Sequence, residues 1–141
     1  MKNRVFEKQG QSQLSRQVVG VAMRVHRILG AGFSESIYRN ALAIELRKAG
    51  LAFVLHPTLS VAYEGLEIGV FQADIIVEQA LIVELKAVDA LNAAHAAQLV
   101  NYLTASKIND GLLINFGAPS LEFRTKTRLY RKEEPPPDLT L

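Results

Sequence analysis

The sequence predicts an α/β domain whose central β-sheet is covered by helices. Runs of apolar residues at helical spacing open the chain and return once after its middle, whereas alternating and β-branched runs fill the middle and the end. Glycine, proline and Asn-Asp punctuation separates these runs into the order α-α-β-β-β-α-β-β. The 141 residues, 49% of them hydrophobic, suffice for one core, so a single domain is expected over residues 1–132 with a Pro-rich flexible tail at 133–141.

The first helix is expected from Gln13 to Leu29, where Leu14, Val18, Ala22, Val25 and Leu29 recur three and four residues apart. Gly30 and Gly32 stop it, because glycine accepts the left-handed backbone that helix C-termini use. A second helix should run from Ser34, whose hydroxyl is placed to cap free N–H groups, to Lys48 before Gly50. Leu42, Ile44 and Leu46 supply its apolar surface, extended by Ile37 and Ala41. Phe53 to Tyr63 and Leu66 to Val77 then read as a hairpin about Glu64-Gly65, and Leu81 to Val88 must pair antiparallel with its second strand. A third helix, rich in Ala and Leu, spans Leu91 to Ser106. After Asn109-Asp110-Gly111 come a buried strand, Gly111 to Gly117, and a short edge strand, Leu121 to Thr127.

Composition narrows the function classes. Zero cysteines exclude disulfides, thiolate metal sites and cysteine nucleophiles, and suggest the cytoplasm. The polar start, MKNRVFEKQGQSQ, carries no apolar leader segment, and no run of about 18 apolar residues exists for a membrane helix. Net charge is only +2, with a pI of about 9.0, but basic residues gather early (Arg4, Lys8, Arg16, Arg24, Arg27) and late (Arg124, Lys126, Arg128, Arg131, Lys132). That permits a polyanionic partner without demanding one. No glycine-rich phosphate loop, H-E-x-x-H or G-x-S-x-G motif occurs, and His26, His56 and His95 lie on separate elements, which argues against a histidine-based metal centre.

The segment ADIIVEQALIVELKA, Ala73 to Ala87, places Asp74, Glu84 and Lys86 in otherwise apolar strands, where an unpartnered charge is costly. Alternation puts Glu84 and Lys86 on one face with Ile82, and Leu81, Val83 and Leu85 on the other. A two-residue connection, Glu78-Gln79, would send Asp74 and Glu84 to opposite faces; a three-residue connection ending at Ala80 sets them across from each other. If they converge, mutual repulsion favours a shared proton or a divalent cation, Mg²⁺ or Mn²⁺ given oxygen ligands. The competing reading is a buried salt bridge of Lys86 with Asp74 or Glu84.

His95, Gln98 and Tyr102 form one stripe on the third helix, suited to a phosphate or a stacked base, although His95 alone reads as a helix flank half in water. Glu35 and Tyr38 are neighbours in the second helix. Glu35 either complements the helix N-terminus or reaches the site as a third carboxylate. His26 reads as a hydrogen-bonded core histidine.

GFSESIY, Gly32 to Tyr38, fits a G-x-x-E-x-x-Y signature, and VHRILGAG, ALAIELRKAGL, ADIIV, VELKAV, HAAQLVNYL and GLLINFG follow the order of the GxxExxY proteins. Through that family, from about Leu14 to Phe116, the chain resembles the PD-(D/E)XK nuclease superfamily and its RecB-like branch. Ala73 stands where the superfamily's name has proline, and Ala31 where the family often has one. The resemblance implies a mixed central sheet flanked by helices, a restriction-endonuclease-like core, and Mg²⁺-dependent phosphodiester cleavage, with Mn²⁺ as a substitute. Asp74, Glu84 and Lys86 would be the catalytic set with Glu35; Asp74, Glu84 and the Leu85 carbonyl would hold the metal. Gln98, Tyr102, His95 and Tyr38 are expected to contact nucleic acid, DNA ahead of RNA. A degenerate, binding-only version of the fold is the other reading, and homo-oligomer formation is left open.

Overall fold

The computed structural model describes residues 12–128; the tail expected at 133–141 and the outermost basic residues lie outside the described residues. Helix α1, Gln13–Leu29, begins at Ser12, whose Oγ accepts a hydrogen bond from the Ser15 N–H at 3.1 Å. It ends at Gly30, where φ is 71° and the N–H returns to the His26 carbonyl. Helix α2, Glu35–Lys48, starts after Ser34 as expected, but the Ser34 hydroxyl caps no backbone group; it pairs with Ser36 Oγ at 3.2 Å. Leu42 and Leu46 are buried on its inner face, while Ile37 and Ile44, seven residues apart on the opposite face, are exposed.

The strands are β1 (Phe53–Leu55), β2 (Thr58–Tyr63), β3 (Leu66–Gln72), β4 (Ile75–Val77), β5 (Leu81–Lys86), β6 (Asp110–Asn115) and β7 (Glu122–Thr127), with α3 (Ala93–Ser106) between β5 and β6. Five of them form a mixed sheet in the order β1-β4-β5-β6-β7, parallel only between β5 and β6. The parallel step requires a crossover, and α3 is that crossover. β5 and β6 are central and covered on both faces, which explains their nearly continuous apolar sequence. On one face α1 and α2 pack Val18, Ala22, Tyr38, Leu42 and Leu46 against Val83, Leu85, Leu112 and Ile114. On the other, Leu99 and Leu103 of α3 pack against Ile76, Ile82 and Leu113.

The hairpin differs from expectation in one respect. Each of its two long strands is broken, the first at His56-Pro57 and the second at Ala73-Asp74. Register is kept across the break: Leu55 faces Ile75 on one side and Thr58 faces Gln72 on the other. Proline has no N–H for a ladder, and His56 turns to a φ of 52°, so the chain corners there. Two bonds close the corner, His56 N–H to the Asp74 carbonyl at 2.9 Å and Ala73 N–H to the Pro57 carbonyl at 3.2 Å. Beyond it β2 and β3 form a separate two-stranded arm that leans on α3, with Phe71 stacked on Tyr102 at 4.2 Å between ring centroids. Asp74 therefore sits at the corner, where the sheet ends and the arm begins.

Candidate active site

The β4–β5 connection is the three-residue one: Val77 faces Leu81, and Glu78 and Gln79 take φ values of 53° and 55°. Continuing that register from the Ile75–Val83 pair brings Asp74 across from Glu84. The carboxylates are interlocked through the main chain. Asp74 N–H donates to Glu84 Oε2 at 2.9 Å, and Leu85 N–H donates to Asp74 Oδ2 at 2.7 Å. In a strand the N–H and C=O of one residue face the same edge, so the Leu85 carbonyl is directed to the β4 side, where Asp74 lies.

Glu84 is only 7% exposed. Burial, reinforced by the Asp74 charge, pushes its carboxyl up to about 8. The two carboxyl groups and the Leu85 carbonyl form a hard oxygen donor set suited to a divalent cation, which would compete with the proton on Glu84. Among the described residues no group of three or more acidic or histidine side chains converges, so Glu35 does not complete a three-carboxylate cluster. It lies half-buried in the first turn of α2.

One turn further along α2, Arg39 does reach the site: its Nη1 is 3.6 Å from Asp74 Oδ1, with side chains 14% and 16% exposed. Among the described residues the ion pair at Asp74 is thus made by Arg39 and not by Lys86. Sequence reasoning missed Arg39, although its place four residues after Glu35, on the same helical face, was a usable signal. Lys86 stands on the face of Glu84, close enough that its charge opposes the rise in the Glu84 carboxyl.

The remaining candidates divide. Tyr102 of α3 stands near the carboxylates, and its phenol is raised by burial and then by the charges of Glu84 and Asp74, so it stays a neutral O–H donor. Gln98, one turn earlier, is exposed to solvent. His95 is tied into the start of α3: its Nδ1 accepts from Asn92 N–H at 3.2 Å, while its own N–H donates to Asn92 Oδ1 at 3.0 Å. Tyr38 offers nucleic acid no surface, which corrects the expectation from the sequence. It is fully buried, stacked on Phe116 at 4.5 Å, and its hydroxyl donates to the Gly30 carbonyl and accepts from Phe33 N–H. The tyrosine of G-x-x-E-x-x-Y thereby fixes the loop that leads into Glu35. His26 makes the backbone contact expected of a core histidine, Nε2 to the Ala118 carbonyl at 3.0 Å.

A second group missed from sequence holds the chain just after Lys86. Asn115, fully buried and paired in register with Lys86, donates to the Val88 carbonyl and to Glu122 Oε1, both at 2.9 Å. Its Oδ1 accepts from Val88 N–H at 2.9 Å and Gly117 N–H at 3.0 Å. Glu122 Oε1 also accepts from Leu91 N–H at 3.1 Å, and these bonds hold its carboxyl below the usual range. Gly117 is required here because a Cβ would collide with the Val88 backbone. One polar residue inside the apolar run GLLINFG was the available signal.

A family model described as PD-(D/E)XK nuclease superfamily matches residues 12–127. Among solved structures, "Crystal structure of SSO0001" is similar, with a TM-score of 0.51 and 16% sequence identity over 68% of this chain and 50% of that one. At that identity the likeness bears on the fold alone, and this chain spans half the length of the other. No curated protein matches the chain.

Proposed function

The chain belongs to the PD-(D/E)XK nuclease superfamily, and from that membership and its paired carboxylates we propose that it is a divalent-metal-dependent nuclease that hydrolyses phosphodiester bonds, with DNA as the preferred substrate. The observation that carries the reading is the convergence of Asp74 and Glu84, each bonded to the main chain beside the other. Its motifs favour the GxxExxY family and the RecB-like branch, and its lack of cysteine favours the cytoplasm. Among the described residues no helix is long and apolar enough to cross a membrane. The single nuclease domain is read as extending over residues 1–132.

In this reading Asp74, Glu84 and the Leu85 carbonyl hold Mg²⁺, which Mn²⁺ can replace. When bound, such a cation supplies positive charge for the phosphorane and lowers the proton affinity of a water. Arg39 balances the Asp74 carboxylate and fixes its orientation. Lys86, on the face of Glu84, donates to the attacking water or to a non-bridging phosphate oxygen. Tyr102 presents its neutral O–H to the same phosphate, Gln98 adds an exposed amide further out, and His95 keeps the first turn of α3 in place. Glu35 contributes through its position beside Arg39, outside direct contact with Asp74 and Glu84.

The test is a thermal-shift titration with Mg²⁺ and Mn²⁺ on the wild type and on Asp74→Ala, paired with cleavage of single- and double-stranded DNA. A metal-dependent rise in Tm that disappears in Asp74→Ala, with cutting reduced by about 10²-fold or more, is the expected result. Folded wild type that neither shifts nor cuts would overturn the nuclease reading and leave a binding-only fold.

A further inference from the structure

The sheet face that carries Glu84 has a second concave feature on the far flank of α3. There α3 presents Ala93, Ala96, Ala97 and Val100, β7 presents Arg124 and Lys126, and the groove between them encloses about 550 Å³. Strand register explains why the two cations point into it. Phe123 packs into the core under α1 and α2, so its neighbours Arg124 and Lys126 turn to the α3 side. Arg124 faces Leu113, and Leu113 faces Glu84, which places Arg124 in the row of the carboxylate at two strand spacings, about 10 Å. Lys126 faces Gly111, which has no side chain to cover it.

The chemistry of the walls is one-sided. No acidic residue lines the groove. The nearest acid on β7, Glu122, has Oε1 bonded by Asn115 Nδ2 and Leu91 N–H, and feels the Arg124 charge only as a lesser influence beside those bonds. The helix wall is small and apolar, and Val100 within it is 39% exposed. Two cations opposite a shallow apolar wall suit a phosphate joined to a sugar and base. The volume lies in the range of small-ligand sites, about 300–1,000 Å³, and is far too small for a duplex. The chain itself links the groove to the site. The segment leaving Lys86 runs through Val88 to Leu91 and Asn92, which line the groove, and the Asn115 and Glu122 bonds hold that segment in place.

We propose that this groove binds one nucleic-acid strand beside the cleaved bond, with phosphate oxygens on Arg124 and Lys126 and a sugar and base against Ala96, Ala97 and Val100. Its place beside a cleaved bond rests on the nuclease reading, whereas binding as such needs no cleavage. The experiment measures fluorescence anisotropy of a labelled 15-mer oligothymidylate with the full chain in EDTA, over a series of NaCl concentrations. Arg124→Ala/Lys126→Ala is compared with Arg16→Ala/Arg27→Ala, which removes the same charge from exposed positions on α1, across the sheet. The groove variant is expected to bind about tenfold more weakly at 100 mM salt, with its log K against log salt slope shallower by about 1.4, as for two single-strand phosphates. The α1 variant should match the wild type, and Val100→Glu should weaken binding without altering the melting curve.

Equal affinity and slope in the groove variant, equal losses in both double variants, or no binding by the wild type would each overturn the proposal. The two readings fail separately. Salt-dependent binding lost only in the groove variant, from a protein that cuts nothing with Mg²⁺, would keep the groove and sink the nuclease. Wild-type cutting and binding by the groove variant would do the reverse.

Discussion

At Glu84, burial and the neighbouring Asp74 charge act in one direction, and the result reaches the stability of the whole chain. Without metal the folded protein holds a proton there up to about pH 8, whereas the unfolded chain releases it near 4.5. Between those values the folded state binds more protons, so stability falls as pH rises. Metal-free protein should therefore lose stability steadily from pH 5.5 to 8.5, by on the order of a few kcal/mol and with a falling Tm, and Glu84→Gln should flatten that slope. The same proton competes with a cation, so Mg²⁺ affinity measured by calorimetry should rise with pH up to about 8. Lys86 is separable from binding: Lys86→Met should keep the Mg²⁺-induced shift while cutting falls about 10²-fold.

Among the elements, the buried bonds of Asn115 do for the segment after β5 what a loop's own sequence cannot. Asn115→Ala would strip both Val88 backbone groups and the Gly117 N–H of their partner, at a cost of about 2–4 kcal/mol in urea denaturation. Because that segment begins at Lys86, cutting by the variant should fall at temperatures where it is still folded. Tyr38→Phe tests the loop before α2 in the same way. Losing the bonds to Gly30 and Phe33 while keeping the stack on Phe116 should cost about 1–2 kcal/mol.

For the molecule as a whole, the corner at His56-Pro57 and Ala73-Asp74 separates two levels of stability. The inner strands β4, β5 and β6 of the five-stranded sheet are buried, while β3 is exposed along most of its length, with Leu66 and Ile68 at 70% and 65% exposure. Hydrogen exchange should open β2 and β3 well before β5 and β6, and Phe71→Ala, by removing the stack on Tyr102, should speed exchange in the arm with little change in global Tm. The arm and α3 flank one side of the carboxylates and α2 the other, so the site is assembled from segments that meet only in the folded chain.

The α/β class, the two-faced central strand and the identity of Asp74, Glu84 and Lys86 as the charges needing an account are legible in the sequence alone. Those features follow from local periodicity and from the cost of burying charge, both of which act over a few residues. The broken hairpin escaped it because alternation continues through the break: a strand that corners while keeping register leaves the same pattern as a straight one. Only tertiary structure decided that the β4–β5 connection has three residues and so unites the two acids, since one residue more or less moves every side chain to the other face. It likewise decided that Arg39, rather than Lys86, pairs with Asp74, and that Asn115 fastens the chain beyond Lys86. Those are long-range contacts, and their partners are chosen by how helices pack on the sheet, which no local spacing records.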